Sequence, residues 1–458
     1  MNHMKETTIA AISTAKATAG ISVIRISGED AIPIAETVFT AYTDKKLSDM
    51  KGYTCALGAA YAGDEKLDEC IASVFRAPHS YTGENVVELS CHGGLYVTNR
   101  VLRAVFDAGA EPAQAGEFTK RAFLNGKLDL VEAEAVMDII SARSRTAVKA
   151  ALSVKDGALS KRIDAVKTAL LSKAAHLSAW ADYPEEDIPE IEDDELSGAL
   201  ENALEELSAI LKGYDNGRVL RDGIDTAIVG KPNVGKSTLM NLLAGYDKSI
   251  VTEVAGTTRD VVEESVNLDD LILNLSDTAG IRETEDVVEK IGVDKAKNRM
   301  NASSLILCVF DGSKELTEED EELIEEIGDT PAIAILNKAD LPRVIDDTLI
   351  QKHFTTVIPM SAKRSEGVAE LIKAIKQICA IEDFSSTDAL IYNERQRNLT
   401  KKAFDSTREA LTALDIGMTF DAVTISIEEA VGYLCELTGE RVTDEVVDRV
   451  FHNFCVGK

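Results

Sequence analysis

The chain has 458 residues, 45% of them hydrophobic and 28% charged, and its formal net charge is −30. This length predicts about three domains, because single hydrophobic cores stop growing below it. No apolar run approaches the roughly 18 residues that a membrane span needs, and the N-terminal stretch lacks the pattern of a secretory signal. We therefore expect a cytoplasmic protein without membrane contact. The acidic charge opposes non-specific binding to nucleic acid, so any RNA must meet a local basic patch or a partner.

The seven cysteines are scattered without a C-x-x-C pair, which predicts reduced thiols rather than a disulfide framework or a zinc site. Cys455 lies near the C-terminus and superficially imitates a prenylation box. Gly457 is not aliphatic and Lys458 is not a usual terminal residue of that box, so we expect no lipidation.

Residues 1–120 mix strand-like segments at 21–26 and 86–89 with helix-like segments at 31–40 and 95–108, which predicts an α+β domain. Two further segments, 121–221 and 382–458, carry apolar residues at helical spacing. Long helices fit there because no proline lies between Pro112 and Pro184 or after Pro359. A break near Gly417 divides the second segment.

Residues 222–381 alternate short β-rich runs with helix-length stretches. This alternation predicts a doubly wound, mostly parallel α/β sheet. The simplest architecture inserts this domain between two halves of one helical domain, 121–221 and 382–458, since insertion is tolerated where domain ends lie close together.

A phosphate-binding loop is predicted at Gly230-Lys-Pro-Asn-Val-Gly235-Lys236-Ser237, which matches G-x-x-x-x-G-K-[ST] between a strand and a helix-like segment. Glycines let backbone N–H groups approach phosphates, Lys236 supplies positive charge, and the Ser237 hydroxyl can ligate magnesium. A chance match in a glycine-rich loop is the alternative, and the placement argues against it.

Asn337-Lys338-Ala339-Asp340 follows a predicted strand about 100 residues later and fits a guanine reader. The Asp340 carboxylate would accept from the N1–H and the exocyclic amine of the base, a pair that adenine lacks, which predicts GTP rather than ATP as substrate. The segment Ser361-Ala362-Lys363 resembles the companion loop that contacts the base.

Asp277-Thr278-Ala279-Gly280 ends a predicted strand, which would place a carboxylate near magnesium and Gly280 near the γ-phosphate. Gly256-Thr257-Thr258 is the candidate switch loop, with Thr258 as the second hydroxyl ligand of magnesium. The residue after Gly280, where Ras-like enzymes carry a water-orienting glutamine, is Ile281, which cannot position water. A catalytic carboxylate is therefore sought among three residues, although each also fits a plain surface position: Glu283, Glu285 and Glu289.

Asn233 lies inside the phosphate-binding loop. Its amide oxygen could help to hold a monovalent cation against the phosphates, and a potassium ion there could replace an arginine finger electrostatically. The sequence therefore favours hydrolysis that depends on potassium.

With this domain lodged in a helical one, the chain resembles the MnmE (TrmE) family of tRNA modification GTPases over nearly its whole length. The terminal Phe454-Cys455-Val456-Gly457-Lys458 and the stretch from Gly116 to Leu130 resemble family motifs. So do Ile24-Arg25-Ile-Ser-Gly28, the segment Tyr81 to Leu89, and His92-Gly93-Gly94. The implied fold class is a multidomain α/β plus all-α protein, with an N-terminal α+β folate-binding-like domain, a helical domain and an inserted Ras-like P-loop GTPase domain.

The resemblance implies a homodimer, joined through its N-terminal domains, that works with the flavoprotein MnmG on tRNA. The implied product carries an aminomethyl or carboxymethylaminomethyl group on carbon 5 of the wobble uridine. A tetrahydrofolate derivative, 5-formyl- or methylene-tetrahydrofolate, would be the one-carbon donor, and FAD would belong to the partner. The implied folate-binding positions are Arg25, Glu88, Lys127 and Lys458, each of which alone would fit a surface ion pair.

The resemblance also assigns roles in GTP hydrolysis. It implies Glu289 as the residue that orients water, with Lys236 and Thr258 as the other catalytic residues, and magnesium on Ser237 and Thr258. It implies a potassium ion on Asn233, Thr252, Val254 and Thr257. The predicted GTP-binding residues are Asn233, Val234, Gly235, Lys236, Ser237, Thr238, Thr252, Glu253, Val254, Ala255, Gly256, Thr257, Thr258, Asp277, Thr278, Ala279, Gly280, Asn337, Lys338, Ala339, Asp340, Ser361, Ala362 and Lys363.

A second interpretation is a GTP-dependent RNA or ribosome-assembly switch without modification chemistry, since such factors share the four nucleotide motifs. They usually append a basic RNA-binding module, whereas this C-terminal region is helical and ends in Cys-Val-Gly-Lys. The helical domain could also be a dimerisation scaffold, which is compatible with the first interpretation. Cys455 stays open between a structural thiol and a catalytic nucleophile.

Overall fold

The computed structural model describes residues 7–43, 45–182, 193–246, 263–268, 271–277, 303–328, 330–379, 390–452 and 454–457. Its contacts divide into two compact units. Unit 1 comprises Met1–Met137, Lys155–Leu204 and Lys402–Lys458, and unit 2 comprises Asp138–Val154 and Glu205–Lys401. Each division between the units falls within a helix. The four-domain division of the sequence, with boundaries at 121, 222 and 382, stays a prediction.

Unit 1 contains a seven-stranded sheet in the order β3-β4-β5-β6-β2-β1-β7. All neighbours pair antiparallel except β1 and β7. Two helices, α1 and α2, pack against it, and the shared core includes Ile24, Val74, Leu89, Ala35 and Val101. The bounds are β1 Ile9–Ile12, β2 Ile21–Ser27, α1 Ala31–Val38, β3 Phe39–Ala41, β4 Thr54–Ala62, β5 Glu65–Phe75, β6 Val86–His92, α2 Leu95–Asp107 and β7 Glu111–Pro112.

The helix predicted over 31–40 ends at Val38, and this part of the prediction is wrong. The next three residues, Phe39–Ala41, are extended and pair with β4. Aromatic and β-branched residues fit a pleated sheet, and pairing with a neighbouring strand outweighs weak helix propensity.

The helical segments predicted on both sides of the nucleotide domain are confirmed. In unit 1, α6 (Ala158–Asp182) packs along α13 (Phe420–Thr438), and α3 (Glu117–Leu124) contacts α14 (Asp444–His452). Gly417, near which the break is predicted, has φ +69° and follows the helix that ends at Asp415, where a left-handed glycine ends a helix without strain. The bounds are α3 Glu117–Leu124, α4 Leu130–Ser141, α5 Arg145–Lys155, α6 Ala158–Asp182, α7 Asp193–Asp222, α12 Glu394–Asp415, α13 Phe420–Thr438 and α14 Asp444–His452.

Unit 2 contains a six-stranded sheet in the order β13-β12-β11-β8-β10-β9, parallel except for the β9–β10 pair. The expected doubly wound fold is confirmed. The bounds are β8 Ile224–Val229, α8 Lys236–Tyr246, β9 Glu263–Leu268, β10 Leu271–Asp277, β11 Leu305–Asp311, α9 Glu318–Glu326, β12 Ala332–Asn337, α10 Thr348–His353, β13 Val357–Pro359 and α11 Val368–Ile378. In such sheets ligands bind at the carboxyl ends of the parallel strands, where the predicted nucleotide motifs lie.

None of the helices in the described part of the chain is long and apolar enough to cross a membrane.

Candidate nucleotide site and N-terminal site

The loop between β8 and α8 needs its glycines. Gly235 has φ +103°, and a Cβ there would lie 2.2 Å from Asn337 Nδ2. Gly230 has φ +147°, and a Cβ there would lie 2.4 Å from the carbonyl oxygen of Val309. Only glycine lets the loop pass this close to β11 and β12, so the sequence pattern that predicts phosphate binding also fixes the packing of the loop.

Asn337 joins the phosphate-binding loop to the loop after β13. Its side chain is 4% exposed. Nδ2 donates to the carbonyl oxygen of Val234 at 2.8 Å, and Oδ1 accepts from the backbone N–H of Ala362 at 3.0 Å. Both polar ends of the buried amide are therefore satisfied, and three predicted nucleotide segments are held together by one side chain.

Lys338 links the same loop to the end of β11. Its Nζ donates to the carbonyl oxygen of Asn233 at 3.0 Å and to Asp311 Oδ2 at 2.6 Å. Burial raises the pKa of Asp311, but hydrogen bonds from Lys338 and Ser313 outweigh it and hold that pKa below its usual value. The sequence motifs did not include Asp311, although a carboxylate that ends an otherwise apolar buried strand is a usable signal.

Asp340 and Ser361 are brought together by the loops after β12 and β13. Ser361 Oγ donates to Asp340 Oδ1 at 2.8 Å, and Arg364 Nε lies 3.9 Å from Oδ2. The hydrogen bond from Ser361 lowers the pKa of Asp340 below its usual value. The side chain is therefore a carboxylate, which only accepts hydrogen bonds and suits the two donors on the guanine edge.

Lys236 lies over its own loop. Its Nζ donates to the carbonyl oxygens of Gly230 and Lys231 at 2.7 and 2.8 Å. Ser237 and Thr238 follow in the first turn of α8 and are exposed. A helix N-terminus with free backbone N–H groups favours bound anions, and the ammonium group adds to that field.

Several predicted residues lie outside the described part of the chain, and Asp277 is the last described residue before one of its gaps. Asp277 ends β10 at the carboxyl edge of the sheet, next to β8. The predicted residues outside the described part are Thr252, Glu253, Val254, Ala255, Gly256, Thr257, Thr258, Thr278, Ala279, Gly280, Glu283, Glu285, Glu289 and Lys458, together with Ile281.

In unit 1, four side chains form what we term the Arg25 cluster: Arg25, Glu88, Tyr81 and Phe118. Arg25 on β2 and Glu88 on β6 are directly opposed in the antiparallel register, and Nε donates to Oε1 at 2.9 Å. The Cζ atom of Arg25 lies 5.2 Å from the centre of the Tyr81 ring and 5.5 Å from that of Phe118. The guanidinium is therefore held by one carboxylate and two aromatic rings.

The C-terminal segment completes this cluster. The carbonyl oxygen of Gly457 accepts from Ser13 Oγ at 3.0 Å and from Arg25 Nη1 at 3.4 Å. The carbonyl oxygen of Cys455 accepts from the backbone N–H of Gly116 at 3.3 Å, and the Cys455 side chain is exposed. Exposure does not fit a buried structural thiol, and the last described residues are tied to the N-terminal sheet.

Lys127 lies near the loop that carries Tyr81. Its Nζ donates to the carbonyl oxygen of Pro78 at 3.2 Å, and a Cβ on Gly83 would lie 3.5 Å from its Cγ. Of the predicted folate-binding residues, Arg25 and Glu88 are thus in direct contact. Lys127 instead contacts the neighbouring loop that contains Pro78.

Sequence reasoning missed Arg121, which fixes that loop. The side chain is 2% exposed, and its guanidinium donates to Glu84 Oε1 at 3.2 Å, to Glu117 Oε1 at 2.9 Å and to the carbonyl oxygen of Thr7 at 2.8 Å. A buried arginine between two carboxylates costs desolvation that its hydrogen bonds must offset, so its loss would disturb the loop beside Tyr81. An arginine at that spacing on an amphipathic helix gives no sequence signal of burial.

Two protein-family models together match nearly the whole chain. The model described as the MnmE helical domain matches residues 130–455, and the model of the GTP-binding protein TrmE N-terminus matches residues 8–127. The chain belongs to the MnmE (TrmE) family of tRNA modification GTPases. The resemblance stated from the sequence motifs is confirmed, and with it GTP hydrolysis in tRNA modification.

Relatives at full length agree. The tRNA modification GTPase MnmE of Clostridioides difficile is 40% identical over 454 residues, which cover 98% of this chain and 99% of the relative. The protein of that name from Alkaliphilus metalliredigens is 42% identical over 456 residues, with the same coverage. Among solved structures, a variant of Era from Aquifex aeolicus bound to GDP and aluminium fluoride is 31% identical. It covers 40% of this chain and 66% of its own, with a TM-score of 0.28 that is too low to bear on the fold.

Membership of the MnmE family implies a nucleotide and magnesium. Ser237 lies in the first turn of α8, where the motif places a magnesium ligand. Asn233 is exposed and has φ +62°. Among the described residues, no group of three or more His, Cys, Asp or Glu is placed to hold a metal ion.

Proposed function

We propose that this chain is a potassium-dependent GTPase that acts with the flavoprotein MnmG on the wobble uridine of certain tRNAs. The pair installs an aminomethyl or carboxymethylaminomethyl group on carbon 5, with a tetrahydrofolate derivative as one-carbon donor. The chain works as a homodimer, and GTP hydrolysis drives a conformational change. The observation that carries the proposal is the Arg25 cluster beneath the C-terminal segment, because nucleotide hydrolysis alone does not require it.

The chemistry of the Arg25 cluster, together with that of Lys127, fits a folate. Glu88 is a carboxylate that can accept from the amino edge of a pterin, and Arg25 and Lys127 can pair with carboxylates through charge-assisted hydrogen bonds. The rings of Tyr81 and Phe118 border the guanidinium and offer flat apolar surface. Lys458, which follows Gly457 in the chain, would add a further cation. When bound, the folate supplies the carbon, and these residues would bind and orient it.

The nucleotide domain fits the accompanying hydrolysis. Lys236, Ser237 and Thr258 would hold the phosphates and magnesium, and Asp340 with Ser361 would select guanine. Glu289 would orient the water that attacks the γ-phosphorus. The bond from that phosphorus to the bridging oxygen breaks, and GDP and phosphate leave. A potassium ion on Asn233, Thr252, Val254 and Thr257 would offset the charge that develops on that oxygen.

Reconstitution tests the whole proposal. The purified chain, MnmG, tRNA, GTP and methylene-tetrahydrofolate are combined, and the nucleosides are analysed by mass spectrometry. We expect a uridine modified on carbon 5 that disappears when GTP, the folate or either protein is omitted. Persistent GTP hydrolysis without any modified nucleoside would instead favour a GTP-dependent RNA switch.

Two simpler measurements test the remaining parts. We expect the rate of GTP hydrolysis in potassium chloride to exceed that in sodium chloride by about 10-fold or more. The reason is that the larger ion would neutralise the negative charge on the phosphates. Equal rates of GTP hydrolysis in the two salts would contradict the proposed potassium site. Light scattering of the purified chain should give the mass of a dimer, and a monomer at micromolar concentration would contradict the homodimer.

A further inference from the structure

Residues 139–155 differ in charge from the rest of the chain. They contain Arg143, Arg145, Lys149 and Lys155 and no acidic residue, in a protein whose formal net charge is −30. The average field of such a chain repels RNA, so a tRNA must be bound where cations are concentrated locally. This segment is therefore the first place to look for such a surface.

The structure turns these cations outward. Arg145 and Lys149 are four residues apart on α5 and both are exposed, as is Arg143 just before the helix. The opposite face is buried through small side chains and one valine, namely Ala147, Ala150, Ala151 and Val154. Residues at i and i+4 share a helix face, so the two cations form one outward stripe.

Within unit 2, residues 142–144, which precede α5, are held in place by β9. The carbonyl oxygen of Arg143 accepts from Asn267 Nδ2 at 3.2 Å, and its Nη1 donates to Ser265 Oγ at 3.5 Å, both on β9. Ser144 Oγ accepts from the backbone N–H of Ala147 at 3.1 Å and caps the helix. The cations are therefore presented from a fixed backbone rather than from a free loop, which lowers the entropy lost on binding.

We propose that Arg143, Arg145 and Lys149 form a surface, here termed the basic face, that binds the phosphodiester backbone of tRNA. The proposal rests on the function proposed above, which makes tRNA the substrate, and it adds the site where that RNA is bound. Evenly spaced phosphates match cations one helical turn apart, and phosphate contacts position an RNA without reading its sequence.

The packing of α5 is provided by its buried face of small side chains and one valine. α5 has no acidic residue in its first turn, and Arg145 stands there with a charge that the helix dipole disfavours. Replacing Arg145 or Lys149 with glutamine therefore leaves the packing of the buried face intact. A loss of RNA binding in such variants reports on the surface rather than on unfolding.

The experiment compares the full-length chain with the double variant Arg145→Gln/Lys149→Gln. The dissociation constant for unmodified tRNA is measured by fluorescence anisotropy at several potassium chloride concentrations. We expect affinity to fall about 10-fold or more near physiological salt, and the slope of log K against log salt to decrease by about 0.7 for each phosphate contact removed. The control is Lys373→Gln, which removes an exposed cation of α11 and should change neither quantity.

GTP hydrolysis without tRNA should be the same in all three proteins, which shows that the nucleotide domain is intact. Unchanged tRNA affinity and salt slope in the double variant would overturn the basic face, as would tRNA binding too weak to detect in the unaltered chain. If tRNA affinity is unchanged but binding to MnmG weakens, the face binds a protein and the proposal is wrong. If RNA binding falls as expected but the unaltered chain makes no modified nucleoside, the basic face stands and the proposed function fails.

Discussion

The nucleotide site and the Arg25 cluster are built in different ways. In unit 2, the candidate GTP residues that the structure describes end a parallel strand or lie in a short segment after one, and the sheet order brings those segments to one edge. In unit 1, Arg25 reaches a partner 63 residues away in Glu88 and another 432 residues away in Gly457. The first kind of site can be recognised from local spacing. The second depends on how distant parts of the chain fold together.

This difference separates the roles of the two regions and can be tested by removing residues from one while measuring the other. A change in the nucleotide domain should alter GTP use and leave folate binding intact, and the reverse should hold for the Arg25 cluster. The following variants are ordered from the largest expected effect to the smallest.

The largest effect is expected from Asp340→Asn. The carboxylate that Ser361 positions is lost, and the amide that replaces it presents a donor to the donors of guanine. A site built to hydrogen-bond a substrate discriminates by about 10⁴-fold or more against an unmatched partner. We expect GTP affinity to fall by about that factor, while xanthosine triphosphate, which carries an oxygen in place of the exocyclic amine, binds better. Nucleotide titration by fluorescence measures both.

The matched control is Asp346→Asn, which alters a carboxylate bound to Thr348 on the same domain, away from the base motif. It should bind GTP normally. If Asp340→Asn also binds GTP normally, the base-reading role of that motif is wrong.

Glu289→Ala should come next. A residue that orients or deprotonates water contributes about 10²- to 10⁴-fold to the rate, so we expect hydrolysis to fall by that factor with GTP affinity unchanged. Single-turnover hydrolysis and equilibrium binding separate the two quantities. Glu283→Ala and Glu285→Ala are the controls, since the sequence left those residues open. If Glu289→Ala hydrolyses GTP at the usual rate, Glu289 does not orient the attacking water.

The contrast between these sites explains how far the sequence could be interpreted. The parallel sheet, the flanking helices and the phosphate and base motifs were predicted because hydrophobic periodicity and strand-end motifs are local signals. The double role of Asn337, which ties the loops containing Val234 and Ala362, was not, because it depends on which loops become neighbours. Arg121 was missed for the same reason, since an arginine carries no sequence mark of burial.

The Arg25 cluster itself was found only through family resemblance. Arg25 and Glu88 face each other because β2 and β6 pair in one register, and neither residue type nor spacing predicts that register. The contact with Gly457 depends on the helical segments that return the C-terminus to the N-terminal sheet. Side-chain pairs of this kind need the tertiary structure.

Arg25→Gln should have a smaller effect, confined to unit 1. A charge-assisted hydrogen bond contributes about 1.5 to 3 kcal/mol, so we expect 5-formyl-tetrahydrofolate to bind about 10- to 100-fold more weakly. Calorimetric titration measures this, and the GTP hydrolysis rate should be unchanged. Arg103→Gln is the control, because Arg103 is exposed on α2 and pairs with Asp107. Equal folate affinity in both variants would contradict a role of the Arg25 cluster in folate binding.

The smallest effect is expected at His92, an exposed residue of β6 that pairs with the largely buried Asp68 of β5. His92 Nδ1 lies 2.7 Å from Asp68 Oδ1, and this hydrogen bond raises the pKa of His92 above its usual value of 6.5. The raised pKa makes the pair stabilising below about pH 6.5, and this contribution is lost as pH rises through the folded-state pKa. Titration of the imidazole by NMR should show that Asp68→Asn returns the pKa toward its usual value, whereas Glu69→Gln, which removes a weaker influence, lowers it less. A pKa that stays raised in Asp68→Asn would show that the hydrogen bond from Asp68 is not the cause of the shift.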